Sequence, residues 1–150
     1  MSKKVKFVFW LYCLLMLWLL FGQRVDDFYG QGTYLEQLRT NTNLVPFKTI
    51  ALYWRLLTTS TNTALIRHAV INLLGNIIMF IPLGWFLPSL WEKFRSFWRT
   101  ILSVVLLMTS VEIFQLLTLL GSCDTDDLML NVLGAAIGFV IYKTVKKGVT

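Results

Sequence analysis

The side chains best suited to chemistry in this sequence are carboxyl and amide groups that recur three or four residues apart within apolar stretches. They form three pairs, which are Asn72 and Asn76, Glu112 and Gln115, and Asp127 and Asn131. Residues at these spacings share one face of a helix. Such groups can hydrogen-bond a polar headgroup, and a carboxyl group can also transfer a proton. They can equally bond to one another and fix the register of packed helices.

Further carboxylates lie in the polar segment 121–127, which contains Asp124, Asp126 and Asp127 and no basic residue. Oxygen ligands suit a hard cation, but no fixed spacing here requires one. No cofactor is predicted, and a divalent cation at the three aspartates is an alternative to solvated loop charges. Glu112 is the candidate catalytic residue, because an acid within an apolar run is costly unless it is partnered or protonated.

The elements that must position these groups are long apolar runs. The chain of 150 residues is 56% hydrophobic and 15% charged, with a mean hydropathy of +0.64. A bilayer core of about 30 Å requires roughly 20 helical residues. The runs do not alternate polar with apolar residues, which disfavours barrel strands. The sequence predicts one all-α domain over residues 1–150, a polytopic transmembrane helical bundle with crossings at about 5–22, 69–87, 100–120 and 128–142.

A shorter amphipathic helix is predicted between the first two crossings. Phe47, Ile50, Trp54 and Leu57 recur at helical spacing. Pro46, just before them, is compatible with the first position of a helix. Two placements follow from this pattern: the helix lies in the membrane interface, or it packs on the bundle as an ordinary short helix.

Basic residues predict how the chain is oriented. They cluster at the N-terminus, around residues 93–99 and at the C-terminus. The positive-inside rule therefore predicts that both termini are cytoplasmic and that the acidic segment is outside. The first connection contains Arg24, Arg39, Lys48, Arg55 and Arg67, which opposes this prediction. Because most basic residues flank apolar runs as helix anchors, no nucleic-acid partner is predicted.

Helical rise predicts that the polar groups lie at similar depths. At about 1.5 Å per residue, Asn76 and Glu112 lie roughly 12–14 Å below the outer helix ends, and the other pair members are shallower. The fourth predicted crossing is only about 22 Å long, which draws the aspartates towards Glu112. Gly134 and Gly138 share its polar face and are predicted to let another helix approach closely.

Several blocks resemble the VanZ-like membrane family. The stretch NLLGNIIMFIPLG at 72–84 resembles its signature, and EIFQ at 112–115 and DTDDLMLNVLG at 124–134 look like its two later blocks. Residues 43–47 are similar to a further block, so the resemblance covers about 43–142. The family often has an arginine about three residues before the first aspartate of the last block, where this chain has Gly121.

The resemblance implies a role in the bacterial cell envelope, in the cytoplasmic membrane. The family is named for a protein that gives low-level resistance to teicoplanin, a glycopeptide antibiotic with a lipid tail. Membrane lipids, a lipid-linked cell-wall precursor or a lipoglycopeptide are the partners this suggests.

Two functional hypotheses follow. In the first, the chain is a non-enzymatic envelope factor that binds a lipid or lipid-linked headgroup and contributes to glycopeptide resistance. Its outer-leaflet polar pocket would comprise Asn72, Asn76, Glu112, Gln115, Asp124, Asp126, Asp127 and Asn131. The alternative is a membrane-embedded enzyme that acts on a lipid-linked substrate with Glu112 as general base. Ser110 and Ser122 have no paired histidine, which disfavours a catalytic triad, and four crossings without an internal repeat disfavour a transporter.

Overall fold

The computed structural model describes residues 3–21 and 32–147, and in these ranges the chain is essentially all helical. The helices are α1 (Lys3–Phe21), α2 (Tyr34–Thr40), α3 (Lys48–Thr59), α4 (Thr63–Leu90), α5 (Phe97–Leu117) and α6 (Thr125–Lys147). Two-residue strands, β1 (Thr42–Asn43) and β2 (Cys123–Asp124), pair in parallel, and a 3-10 turn spans Glu92–Phe94. Four helices, α1, α4, α5 and α6, are long and apolar enough to cross a membrane. The prediction of an all-α bundle with four crossings is confirmed.

The helix ends differ from the predicted crossings. The helix predicted at 69–87 runs from Thr63 to Leu90 and, at about 42 Å, exceeds the hydrocarbon thickness. The helix therefore has additional turns at its N-terminus. Asn62 is the N-cap residue, and its side chain accepts hydrogen bonds from the backbone N–H groups of Ala64 and Leu65. The crossing predicted at 100–120 runs from Phe97 to Leu117, because Leu119 has a left-handed backbone conformation with φ 56°.

The prediction of a short fourth crossing at 128–142 is wrong. Helix α6 has 23 residues and a length of about 34 Å, which is enough to cross without local thinning of the bilayer. It begins at Thr125, so Asp126 and Asp127 lie in its first turn. Acidic side chains there are favoured by the positive end of the helix dipole. The first crossing was predicted to end at Gly22, which, like Arg24, lies outside the described residues.

The four long helices form a bundle with two distinct ends. At the basic end, Lys6 of α1 shares a surface groove with Leu90 and Trp91 at the end of α4. Phe97 at the start of α5 packs edge-on against Phe139 of α6, with 5.5 Å between ring centroids. The opposite end, called the polar end here, contains α3, the starts of α4 and α6 and the end of α5. Helices α1 and α5 therefore run from the basic to the polar end, and α4 and α6 run back.

Helices α4 and α6 form the tightest pair. A Cβ added at Gly134 would lie 2.1 Å from the carbonyl oxygen of Ile77, and one added at Gly138 would lie 1.9 Å from that of Ile81. From the other side, a Cβ at Gly84 would lie 1.9 Å from the carbonyl oxygen of Ala135. No residue with a side chain fits at this backbone separation, so glycines on both helices set the contact.

Helix α1 is attached more loosely. Its buried side chains are Phe9 and Met16, and most of its other apolar residues are exposed, as expected for a helix that faces lipid. Tyr12 donates a hydrogen bond to the carbonyl oxygen of Met79, at 2.8 Å. Met79 lies three residues before Pro82, which removes one backbone donor from the otherwise continuous helix α4. Tyr12 therefore supplies a polar anchor between α1 and α4.

Candidate functional site

Asp126 joins the start of α6 to the start of α3. Its carboxylate is fully buried and accepts hydrogen bonds from the backbone N–H groups of Phe47, Thr49 (2.7 Å) and Ile50 (3.0 Å). The α3 N-cap residue, Phe47, has φ 65° and provides no side-chain cap. The carboxylate therefore satisfies amides that the helix leaves free and complements its dipole. Pro46, predicted as a possible first helical residue, precedes the helix instead.

Asp124 strengthens the same connection. Its carboxylate accepts from the side chains of Asn43 (3.2 Å) and Thr49 (2.5 Å) and from the backbone N–H of Asp126 (2.8 Å). The β1–β2 pairing places Asn43 directly beside Asp124. Both carboxylates are buried among N–H and O–H donors, so neither is a solvated loop charge. Together they fix α3 and the preceding segment on the polar end.

A small cavity, called the inner chamber here, lies below this connection. Its volume is about 60 Å³, and a water molecule occupies about 30 Å³ of liquid. Asn76 donates to the Asp127 carboxylate at 2.6 Å across it. Its polar lining comes from three helices and comprises Asn76, Glu112, Gln115, Asp127 and Asn131. These are five of the eight residues predicted to form the pocket.

Three buried side chains of the inner chamber differ in their partners. Glu112 accepts from the backbone N–H of Asp124 at 3.0 Å. Gln115 donates to the carbonyl oxygen of Leu20 at 2.7 Å and thereby holds the end of α1. Asn131 is only 2% exposed, and its Oδ1 has no hydrogen-bond partner among the described residues. A buried acceptor without a partner is costly.

A larger cavity, called the outer pocket here, opens above the inner chamber. Its volume is about 450 Å³, within the range of small-molecule sites. Asp127 lines both cavities. The described lining is mostly polar and comprises Asn41, Thr49, Tyr53, His68, Asn72, Leu119, Leu120, Gly121, Ser122, Asp124 and Asp127.

The structure distributes the predicted pocket residues among the inner chamber, the outer pocket and the cap of α3. Asn72 lines the outer pocket and donates to the carbonyl oxygen of His68 at 2.9 Å, away from the inner chamber. Asp124 lies in the wall of the outer pocket, whereas Asp126 lines neither cavity and acts as the cap of α3. Gly121, at the position where the family often has an arginine, lies in the wall of the outer pocket and carries no charge. No lysine or arginine occurs in the described lining of this pocket.

Sequence reasoning missed part of the outer pocket. The segment 41–53 contributes polar side chains from the first connection, and His68 also lies in the wall. The tyrosine ring of Tyr53 packs edge-on against the His68 ring at 5.8 Å. The similarity of residues 43–47 to a family block was the available signal, but nothing in it indicated that Asn43 pairs with Asp124.

Burial and neighbouring carboxylates affect the one thiol near the site. Burial raises the pKa of the Cys123 thiol, and the carboxylates of Glu112 and Asp124 raise it further. Negative neighbours disfavour the thiolate, so this cysteine is not activated as a nucleophile. The described residues contain no group of three or more His, Cys, Asp or Glu side chains that could hold a metal ion. A divalent cation stays a prediction.

Comparison with known families supplies an independent result. The VanZ/LLP1 family matches residues 9–146, which is nearly the whole chain. The match extends the region of resemblance, 43–142, to include α1 and the end of α6. Comparisons with curated proteins and with solved structures find no match.

Proposed function

Since the chain belongs to the VanZ/LLP1 family and is a membrane protein with four apolar crossing helices, we propose that it binds the headgroup of a lipid or lipid-linked envelope molecule in the outer pocket. The observation that carries this proposal is the cavity of about 450 Å³ with a polar lining at the end of an otherwise apolar bundle. Polar groups at such depth are costly and typically face a ligand or a water-filled cavity.

Charge distribution supports an outer-leaflet location for the pocket. The basic end contains Lys3, Lys4 and Lys6, the cluster Lys93, Arg95 and Arg99, and Lys143 and Lys146. In a bacterial cytoplasmic membrane, the positive-inside rule puts this end and both termini in the cytoplasm. The outer pocket then opens among the headgroups of the outer leaflet, where lipid-linked cell-wall precursors and lipoglycopeptides are found.

Exposed apolar side chains beside the pocket favour a lipid ligand over a soluble one. Phe47 and Trp54 are 60% and 66% exposed, and Leu44 and Val45 are equally uncovered. Ile50, on the same predicted apolar line, is half-buried, so α3 both packs on the protein and presents an apolar edge. Such an edge inserts into the boundary between headgroups and acyl chains. A lipid can therefore reach the pocket laterally from the bilayer.

Thermal unfolding of the purified protein with added lipids tests this proposal. A ligand at 100 times its Kd stabilises the folded state by about 2.7 kcal/mol. We expect a headgroup-specific rise in the unfolding temperature that is lost in Asn72→Leu, which removes a polar group of the outer pocket. Glu92→Gln at the basic end is the matched control, because Glu92 is exposed and forms an ion pair with Arg95 there. Equal responses of both variants, or no response to any envelope lipid, would refute binding in the pocket.

Catalysis by Glu112 is the second candidate, and one observation favours it: Glu112 lines the inner chamber, which shares the wall residue Asp127 with the outer pocket. In this version Glu112 takes a proton from a group of the bound headgroup. Glu112→Gln retains an oxygen that can accept from the Asp124 N–H but removes the base. If cells that express this variant keep their full tolerance to a lipidated glycopeptide, the catalytic version fails and the binding version stands.

A further inference from the structure

We propose that α3 and the start of α4 bind anionic phospholipids of the surrounding bilayer through their phosphate groups. The contact is made by a surface called the basic face here, which comprises the exposed side chains Lys48, Leu52, Trp54, Arg55 and Arg67. This binding does not depend on the molecule held in the outer pocket, so it goes beyond the proposed function.

Helix α3 presents different sides to the outer pocket and to the surroundings of the protein. Thr49 and Tyr53, four residues apart, line the outer pocket. Lys48, Leu52 and Arg55 follow one another at spacings of four and three residues, so they share a second face of the same helix. All three are exposed. The two cations of α3 therefore lie outside the lining of the pocket.

Helix α4 is long enough to carry Arg67 past the hydrocarbon core. The helix ends at Leu90, beside Trp91, at the basic end, and tryptophan is typical of a membrane interface. Arg67 lies 23 residues before Leu90, which is about 35 Å along a helix. A hydrocarbon core is about 30 Å thick, and a bilayer with its headgroups is about 40–45 Å thick. Arg67 therefore lies at the level of the headgroups at the polar end.

Helix α3 brings Arg55 to a similar level. The ring of Tyr53 packs against the ring of His68, with 5.8 Å between their centroids. Three residues, 60–62, separate the end of α3 from the start of α4. The two helices therefore run in opposite directions side by side, and Arg55, two residues after Tyr53, lies close to the level of Arg67.

The charge of this region suits an anionic lipid. Residues 37–91 contain no aspartate or glutamate, and their basic residues are Arg39, Lys48, Arg55 and Arg67. Residues 22–36 add three acidic residues and one basic residue, so basic residues still outnumber acidic ones over 22–91. The carboxylates of Asp124 and Asp126, near the start of α3, are buried and accept from N–H and O–H donors. Guanidinium groups bind phosphate oxygens with two parallel hydrogen bonds.

The apolar members of the basic face favour a lipid over a soluble polyanion. Leu52 is 54% exposed and Trp54 is 66% exposed, and both neighbour Arg55 along α3. In a headgroup layer these side chains reach the acyl chains while the cations reach the phosphates. A soluble polyanion would engage the cations and leave both apolar side chains in water.

Local fluorescence quenching in nanodiscs tests this inference with the full-length chain. Leu52→Cys in a Cys13→Ser/Cys123→Ser background carries a fluorophore, and the bilayer contains phosphatidylglycerol and phosphatidylcholine, with bromine in the chains of one lipid or the other. We expect phosphatidylglycerol to be enriched about fivefold or more at position 52, the scale of the attraction of one basic residue to an anionic surface. Ile113→Cys, exposed on α5, is the matched position, where the bulk ratio is expected.

Variants of exposed side chains assign the enrichment to charge. Arg55→Gln combined with Arg67→Gln should reduce the enrichment at position 52 to less than about twofold, whereas Arg55→Lys combined with Arg67→Lys should retain most of it. Arg95→Gln at the basic end is the control and should change nothing at position 52. Salt at about 1 M, where the screening length is about 3 Å, should also abolish most of the enrichment.

The outcomes separate this inference from headgroup binding in the outer pocket. Equal quenching by the two lipids at position 52, or enrichment that persists in the double glutamine variant, would refute the basic face as an anionic-lipid site. Quenching at position 113 but by neither lipid at position 52 would show that protein covers this face, which also overturns the inference. Enrichment at position 52 without any headgroup-specific rise in unfolding temperature would instead refute the proposed function alone.

Discussion

Replacing Asp126 with alanine is expected to release α3 from the bundle while the four crossing helices stay assembled. The Asp126 carboxylate is fully buried and accepts from three backbone N–H groups, those of Phe47, Thr49 and Ile50. Loss of a helix cap costs about 0.5–2 kcal/mol, and hydrogen bonds to charged groups contribute about 1.5–3 kcal/mol each. Because the freed amides regain some solvation when α3 moves into water, we expect a net cost of about 3 kcal/mol.

Hydrogen exchange measures this effect where it arises. A cost of about 3 kcal/mol corresponds to roughly a hundredfold loss of protection, since each 1.4 kcal/mol is tenfold. We expect that loss at the α3 amides and little change in the segment 100–116 of α5, which supplies none of the three amides that donate to Asp126. Asp126→Asn should show an intermediate loss, because one of its two groups donates instead of accepting.

Glu92→Ala provides the control for an acid that pairs only at the surface. Glu92 contacts Arg95 at 2.9 Å with its side chain 84% exposed, and exposed pairs of this kind contribute about 0–1 kcal/mol. Unchanged protection of the α3 amides in Asp126→Ala would refute the idea that this carboxylate holds α3. A uniform loss through all helices would show that it stabilises the whole bundle instead.

Three further predictions concern packing, reactivity and the attachment of α1. Gly138→Ala should prevent close packing of α4 and α6 and sharply lower the unfolding temperature. Gly75→Ala is the control, because a Cβ at Gly75 meets nothing within 4 Å, and it should raise stability by up to about 1 kcal/mol through helix propensity. Equal effects of the two variants would contradict the glycine contact. In a Cys13→Ser background, alkylation of Cys123 by iodoacetamide at about pH 8 should be slower than that of an unperturbed thiol and should accelerate only at higher pH. The reason is that the raised pKa leaves less thiolate at a given pH. A normal pH profile would show that the carboxylates do not act on this thiol. Tyr12→Phe should cost about 1 kcal/mol by removing the bond to the Met79 carbonyl, and an unchanged unfolding curve would mean that α1 is anchored elsewhere.

The overall architecture could be predicted from the sequence because it depends on local composition. Each crossing is an apolar run of sufficient length, and the spacing of Gly134 and Gly138 indicated a close helix contact before the partner was known. The partner glycine, Gly84, could not be identified, since its role depends on which helix lies against α6. The start of α6 was placed three residues late, because three acidic or polar residues resemble a loop unless the helix dipole is considered.

The site was predictable only where periodicity within one helix sufficed. Pairs such as Asn72 and Asn76 share a helix face, yet Asn72 lies in the outer pocket and Asn76 in the inner chamber. The role of Asp126 depends on α3, nearly eighty residues earlier in the chain, and no local pattern reveals a cap supplied from so far away. His68 and Tyr53 were likewise missed, because their contribution follows from the way α3 packs on α4.

Photo-crosslinking in native membranes tests the central proposal, headgroup binding in the outer pocket, most directly. A photoreactive amino acid is placed at position 72, in the wall of the outer pocket, and in a matched protein at Ile113, which neighbours Glu112 but is exposed on the other side of α5. We predict that position 72 captures one class of lipid or lipid-linked molecule, identified by mass spectrometry, while position 113 captures the bulk lipids in proportion to their abundance. The same mixture at both positions would contradict the account.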